Sequence, residues 1–335
     1  MRLALTFYSV LKIPIKDIVS CAVEAENAGF EYISFAESFY RDAAVLTAAV
    51  ASKTSRIKFG SSIYPISTRT PFQIAMAMAT LNELSSGRIG FIGLGLGYQA
   101  RIEEYFGVKL EKPISKMKEY VNVLRGLLSG KDYSYRGEFF RLQSFPRLTS
   151  EPLKIPILFG SSAPKMLELA GEVADGVVLN SIGTPEYFRE ALSHISAGAR
   201  KAGRNSKELE IASSVIFSVA DKHHDAIEAA RPDVLFYLLY PELDPVIRRT
   251  GYAQQVLEIR QTHAKGDDKK ALALVTDEMV DELTISGTPS ECRWKIKKLY
   301  DCGITLPVIR VSVQTLREDQ RQEAFLRAIQ SLSCH

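Results

Sequence analysis

Three short stretches hold the residue types from which a cofactor site could be built. In GFIGLGLGYQARIEEYFG, residues 90–107, Gly93, Gly95 and Gly97 alternate at the end of an apolar run. Alternate glycines strip one strand face of side chains, so a flat ring system or another backbone can come close. A tight strand-to-loop corner without function is the competing reading. The dinucleotide fingerprint is not met, because G-x-G-x-x-G needs a helix opening on its third glycine and an acidic partner about 20 residues on. Here the spacing is G-x-G-x-G, and Tyr98 follows. In FGSSAPKMLELAGEVADGVVLN, residues 159–180, Gly160, Ser161 and Ser162 form a loop, and Ala163 and Pro164 open a helix. The free N–H groups of such a helix suit an anion, a cofactor phosphate being the natural guest; plain N-capping by Ser162 accounts for the stretch equally well. In AESFYRDA, residues 36–43, Glu37, Ser38, Tyr40 and Arg41 cluster at the end of a second apolar run. At the C-terminal end of a barrel strand such a cluster serves a site; elsewhere it is a solvated loop.

The elements that must position these groups follow from periodicity. Short apolar or β-branched runs lie near residues 2–8, 31–36, 56–63, 88–94, 155–159, 176–180, 209–217 and 306–311. Amphipathic helical patterns lie around 15–28, 42–54, 71–85, 112–129, 163–173, 185–203, 288–302 and 316–331. This alternation produces a parallel sheet covered by helices, and eight of each favour a closed (β/α)8 barrel over an open doubly wound sheet. Gly29, Gly203 and Gly303 fall where a left-handed residue closes a helix, and Thr288 with Pro289 reads as an N-cap and its N1 proline. Two stretches exceed a minimal barrel. Residues 132–148 (DYSYRGEFFRLQSFPRL) predict a β-hairpin around Arg136 and Gly137. Residues 220–287 predict a long helical excursion after the seventh strand, on the face where loop variation sets substrate choice.

Composition narrows the partners. The 335 residues are 46% hydrophobic and 24% charged, ordinary for a globular chain and consistent with one domain over 1–335. Lys plus Arg number 42 against 39 Asp plus Glu, so no electrostatic footprint for nucleic acid or an anionic membrane is present, and a small molecule is the expected partner. Cys21, Cys292, Cys302 and Cys334 form no CxxC or Cys/His cluster, so neither a metal site nor a disulfide framework is expected. The apolar first fifteen residues lead into Lys16 and Asp17 without a small-residue cleavage pattern and read as a buried strand. No later run reaches the roughly 18 apolar residues needed to span a bilayer. These features together predict a cytoplasmic protein.

Taken together the chain resembles the luciferase-like superfamily, and within it the deazaflavin-dependent methylenetetrahydromethanopterin reductases. The resemblance runs through AGFEYISFAESF, KFGSSIYPISTRTPFQIAMAMATLNELSSGRIGFIGLGLG, the loop stretch at 159–180, and KGDDKKALALVTDEMVDELTISGTPSECRWKIKKL. It implies a bacterial luciferase-like (β/α)8 barrel that binds coenzyme F420, a deazaflavin, or alternatively FMN, at its C-terminal mouth. The phosphate would sit at Gly160, Ser161, Ser162 and Asn180. The ring would lie against a non-prolyl cis peptide at Ser62 and Ile63, with Thr6, Ser38, Gly95 and Gly97 around it. The chain departs from the pattern at three acid/base positions. Thr6 stands where the reductases carry glutamate, Glu37 and Ser38 where many deazaflavin enzymes carry Asp-His, and Tyr98 where related sugar-phosphate dehydrogenases carry glutamate.

The implied activity is hydride transfer between the ring and a small organic or pterin substrate. The cofactor does the chemistry, and the protein supplies orientation and a proton donor or acceptor. For that role the candidates are Glu37 first and Tyr98 second, with Ser38 beside them and Tyr8 and Tyr64 as further phenols. The five histidines lie outside the motifs and read as surface residues. Rival readings are an FMN-dependent monooxygenase or reductase, a flavin-binding protein without turnover, and a folate-type reductase using nicotinamide directly. A homodimer is implied by the resemblance alone.

Overall fold

The eight apolar runs become eight parallel strands: β1 (Ala4–Phe7), β2 (Tyr32–Phe35), β3 (Lys58–Ser61), β4 (Ile89–Gly95), β5 (Ile157–Gly160), β6 (Gly176–Leu179), β7 (Glu210–Val219) and β8 (Leu306–Val311). The structure is a computed structural model that describes residues 1–7, 13–37 and 40–333. Each strand pairs with the next, and β8 returns to β1 through Ala4 opposite Val308 and Leu5 opposite Ile309, which closes the barrel. Around it pack α1 (Ile15–Asn27), α2 (Ala43–Ala51), α3 (Pro71–Leu84), α4 (Gln99–Phe106), α5 (Pro113–Leu127), α6 (Pro164–Val173), α7 (Pro185–Lys201) and α8 (His223–Leu238). Helices Pro289–Asp301 and Glu318–Leu332 complete the ring.

Local sequence explains the elements. Thr70 and Gln73 form a capping box and Pro71 occupies the first turn, so α3 starts sharply. Outward strand residues such as Leu5, Ile33, Phe159 and Val177 are fully buried under the helices, as expected for parallel strands covered on that face.

The barrel interior changes character along its axis. Ala4, Tyr32, Phe91, Leu158, Val178, Ala212, Leu306 and Val308 form an apolar cluster of their own. Side chains repeat on one strand face every second residue. Two residues further along the same strands stand Thr6, Ser34, Gly160, Asn180, Ser214 and Arg310. An apolar plug is therefore capped by a polar layer at the C-terminal ends.

Both insertions are present. Strands Tyr133–Arg136 and Arg141–Phe145 form the hairpin, and the buried Glu119 carboxylate of α5 accepts the N–H groups of Glu138, Phe139 and Phe140 at 3.1, 3.0 and 2.8 Å. The excursion after β7 comprises α8, short helices, Ala253–Ala264, Asp268–Ala273 and Asp277–Leu283, and a strand Ile285–Gly287 that pairs with β7. Helix α4 is an addition to the sequence-based expectation. It buries only Ile102, so its sequence carries no apolar stripe to reveal it. Among the described residues, no helix is long and apolar enough to cross a membrane.

Candidate functional site

A cavity of about 610 Å³ opens at the C-terminal ends of the strands, within the range of small-molecule sites. Of the residues singled out from sequence, Thr6, Glu37, Ser62, Ile63, Gly97, Tyr98, Gly160, Ser161, Ser162 and Asn180 all line it. Ser38 and Tyr8 lie outside the described residues.

The first wall is built by the chain leaving β3. The Ser62–Ile63 peptide is cis. Ser62 N–H donates to Phe35 C=O at 3.0 Å, and Glu37 N–H donates to Ile63 C=O at 3.2 Å. Ser62 Oγ meets Ser34 Oγ at 3.0 Å and Thr6 Oγ1 at 3.3 Å, so three inward hydroxyls from β1, β2 and the bulge hold one another. The alternating glycines admit this segment rather than a ligand. A Cβ on Gly93 would collide with the Ser61 carbonyl, and one on Gly95 or Gly160 would stand 2.9 or 2.6 Å from the Ile63 side chain. Gly95 therefore acts behind Ile63, and its expected direct contact with a ring is corrected accordingly. Gly97 has φ +70° and faces Ile102 and Pro65, a backbone conformation that glycine adopts without strain.

Glu37 is not a free carboxylate. Arg69 grips both of its oxygens, one through Nε and the other through Nη2 at 2.8 Å, and Ala43 N–H donates to Oε2 at 3.2 Å. Arg69 also pairs with Asp42 and lies over the Tyr64 ring, 5.5 Å from its centroid. Burial pushes the pKa of the Arg69 guanidinium down, but the hydrogen bonds and charges of Glu37 and Asp42 outweigh it and raise the pKa overall. Glu37, the first-choice acid or base from sequence, is thus held by a bidentate Arg pair that fixes its position. Tyr64 is fully buried outside the cavity, with its phenol pushed up by burial and then by Glu37. Tyr98 stacks on Tyr240, ring centroids 4.0 Å apart at 28°, with Phe236 edge-on to both. Its ring forms part of the wall between α4 and the excursion.

At the start of α6, Ala163 is the N-cap and makes no side-chain cap. Ser161 Oγ accepts Ala163 N–H at 3.0 Å, and Ser162 Oγ donates to the Glu242 carbonyl at 2.8 Å. Capping by Ser162 is therefore ruled out, because its hydroxyl is aimed away at the excursion. The positive end of the helix faces the cavity uncapped.

Sequence reasoning missed the opposite wall: Arg101, Ser181, Ser214, Tyr237 and Arg310 all line the cavity. Arg310 and Asp233 form an ion pair at 2.8 Å with side chains 3% and 1% exposed, and Gln314 donates to the same Asp233 oxygen at 2.8 Å. The Arg310 guanidinium lies over Tyr237, 5.0 Å from the ring centroid. Arg310 could have been found, because a cation inside the run LPVIRV, two residues beyond Val308, must point inward. No local signal marked Tyr237, one aromatic among several in the excursion.

The chain matches the luciferase-like monooxygenase family over residues 5–306. It is 34% identical over 295 residues to a 5,10-methylenetetrahydromethanopterin reductase of Methanolobus tindarius, covering 87% of this chain and 89% of that protein. It is 33% identical over 287 residues to the Archaeoglobus fulgidus protein of the same name, covering 84% and 85%. The solved coenzyme F420 dependent tetrahydromethanopterin reductase of Methanopyrus kandleri superimposes with a TM-score of 0.85 at 26% identity, covering 98% of this chain and 97% of that one. With both sequence and barrel in agreement over almost their full length, the chain belongs to the luciferase-like monooxygenase family.

Proposed function

We propose that the protein is an oxidoreductase that uses coenzyme F420 for hydride transfer to a small organic or pterin substrate, in the manner of the methylenetetrahydromethanopterin reductases. The observation that carries this reading is one cavity with a flat aliphatic face at Ile63 and an uncapped helix N-terminus at Ala163. The relatives at 33–34% identity bear the reductase name. Gly160 serves this reading indirectly, because a Cβ there would stand 2.6 Å from Ile63 Cγ2 and displace the side chain that backs the ring.

In this reading Ile63 backs the ring, while Thr6, Ser34 and Ser62 hold the bulge that presents it. The amides around Ser161 and Ser162 take the phosphate, with Asn180 across the loop and Arg101 adding positive charge at the mouth. The bound deazaflavin supplies a hydride equivalent from its ring carbon. The Glu37–Arg69 pair fixes the rim of the site, and the excursion, through Phe236, Tyr237 and Tyr240, shapes the space left for substrate. Exposed Val45, Met76 and Leu84 on the adjacent helices α2 and α3 support pairing of two copies, which a monomeric mass in solution would refute. The free thiols Cys21, Cys292 and Cys302 support a reducing compartment such as the cytoplasm.

The test is titration of purified protein with coenzyme F420 and with FMN, followed by absorbance and by ligand fluorescence. Saturable binding of the deazaflavin in preference to FMN is expected. Preference for FMN would move the protein to the flavin-dependent side of the family, and binding of neither would end the proposal.

A further inference from the structure

The wall facing Ile63 contains a directional chain of hydroxyls. Ser181 Oγ donates to the Tyr237 phenol oxygen at 2.8 Å. A serine has one O–H to give, so the 2.9 Å contact between Ser181 Oγ and Ser214 Oγ has Ser214 as its donor. Protons therefore point from Ser214 through Ser181 to Tyr237. Among the described residues nothing accepts the Tyr237 O–H, although the residue is only 3% exposed and lines the cavity. A buried hydroxyl without an acceptor is costly, and the cavity is the one side from which a ligand could supply it. The phenol is held in place: the Arg310 guanidinium lies over its ring, Asp233 anchors that guanidinium, and Phe236 packs edge-on at 5.3 Å.

We propose that Tyr237 is the proton donor of the reaction, refilled through Ser181 and Ser214, and that the substrate carries an oxygen or nitrogen bonded to the carbon that gains hydride. The inference rests on the deazaflavin reading above. For a carbonyl substrate, hydride from the reduced deazaflavin forms the new C–H bond. The C=O π pair moves to oxygen, and that oxygen takes the Tyr237 proton to give an alcohol. For an aminal, hydride displaces nitrogen, the C–N bond breaks towards nitrogen, and nitrogen takes the same proton. Tyr237 recovers a proton from Ser181, Ser181 from Ser214, and Ser214 from water at the mouth. The wall opposite the ring thus selects for substrates that need a proton together with a hydride.

The test compares the wild type with Tyr237→Phe and Ser181→Ala. Deazaflavin affinity is read by fluorescence titration, and turnover with reduced coenzyme F420 and methylenetetrahydromethanopterin, or a simple ketone, across pH. Tyr237→Phe is expected to lower kcat by on the order of 100-fold at every pH tested. The dissociation constant for the deazaflavin should stay within about twofold. Ser181→Ala, which keeps the phenol, should give a smaller loss and a reduced solvent deuterium isotope effect; it also serves if Tyr237→Phe folds poorly. Unchanged kcat in both variants would overturn the proposal, as would a wild type that binds the deazaflavin yet reduces neither substrate class. A wild type that binds no deazaflavin would instead remove the reading on which the proposal stands.

Discussion

The two walls of the cavity are built on opposite plans. The wall from β1 to β5 is made of glycines, an isoleucine and backbone, and its hydroxyls at Thr6, Ser34 and Ser62 face one another. The wall from β6 to β8 and α8 is made of serines, a phenol and a buried ion pair. The first is suited to shape and offers a ring little to hydrogen-bond. The second is suited to chemistry, since it presents a donor to whatever lies against the ring. In the proposed reading, the difference teaches that the barrel keeps cofactor and substrate functions on separate arcs, with the Glu37–Arg69 pair at the rim of the first.

The largest effect expected from breaking this division is at the buried pair. Asp233→Asn leaves the Arg310 charge without its counterion and should cost about 3–5 kcal/mol of stability, measured by urea unfolding. A cost below about 1 kcal/mol would mean that the second wall is not organised by this pair. On the first wall, Gly160→Asp places a carboxylate at the loop assigned to the phosphate. Like charges brought together cost several kcal/mol, so deazaflavin affinity should fall by about 100-fold or more. Unchanged affinity would remove the loop from the site. The smallest effect is expected at the rim. Glu37→Gln should lower turnover by less than the roughly 100-fold that proton transfer usually supplies, without changing cofactor affinity. A larger loss would restore Glu37 as a proton-transfer group and weaken the case for Tyr237.

The contrast between the walls also explains what could be read from sequence. All eight barrel strands and the two insertions follow from periodicity, because strands covered by helices leave continuous apolar runs. The first wall announces itself through Gly93, Gly95 and Gly97, and through the loop at Gly160, since glycines in series mark close approach. What approaches them, Ser61 and Ile63, needed three dimensions. The second wall is assembled from single residues on β6, β7, β8 and α8, and spacing along the chain says nothing of their meeting. Ser214 and Arg310 obey the same two-residue rule as Thr6, yet each sits in a run otherwise read as core. Glu37 was legible as a residue at the mouth, but its partner Arg69 lies 32 positions away and fixes its behaviour.

The apolar plug beneath the polar layer has a kinetic meaning. Ala4, Phe91, Leu158, Val308 and their neighbours seal the barrel a single layer below Thr6 and Arg310, so traffic in both directions shares the upper opening. In the proposed reading, with the deazaflavin against Ile63 and the substrate between it and the opening, the cofactor would be seated before its reaction partner arrives, and the spent partner would depart before the cofactor is exchanged. Under that reading, an ordered entry and exit follows from a vessel with a closed bottom.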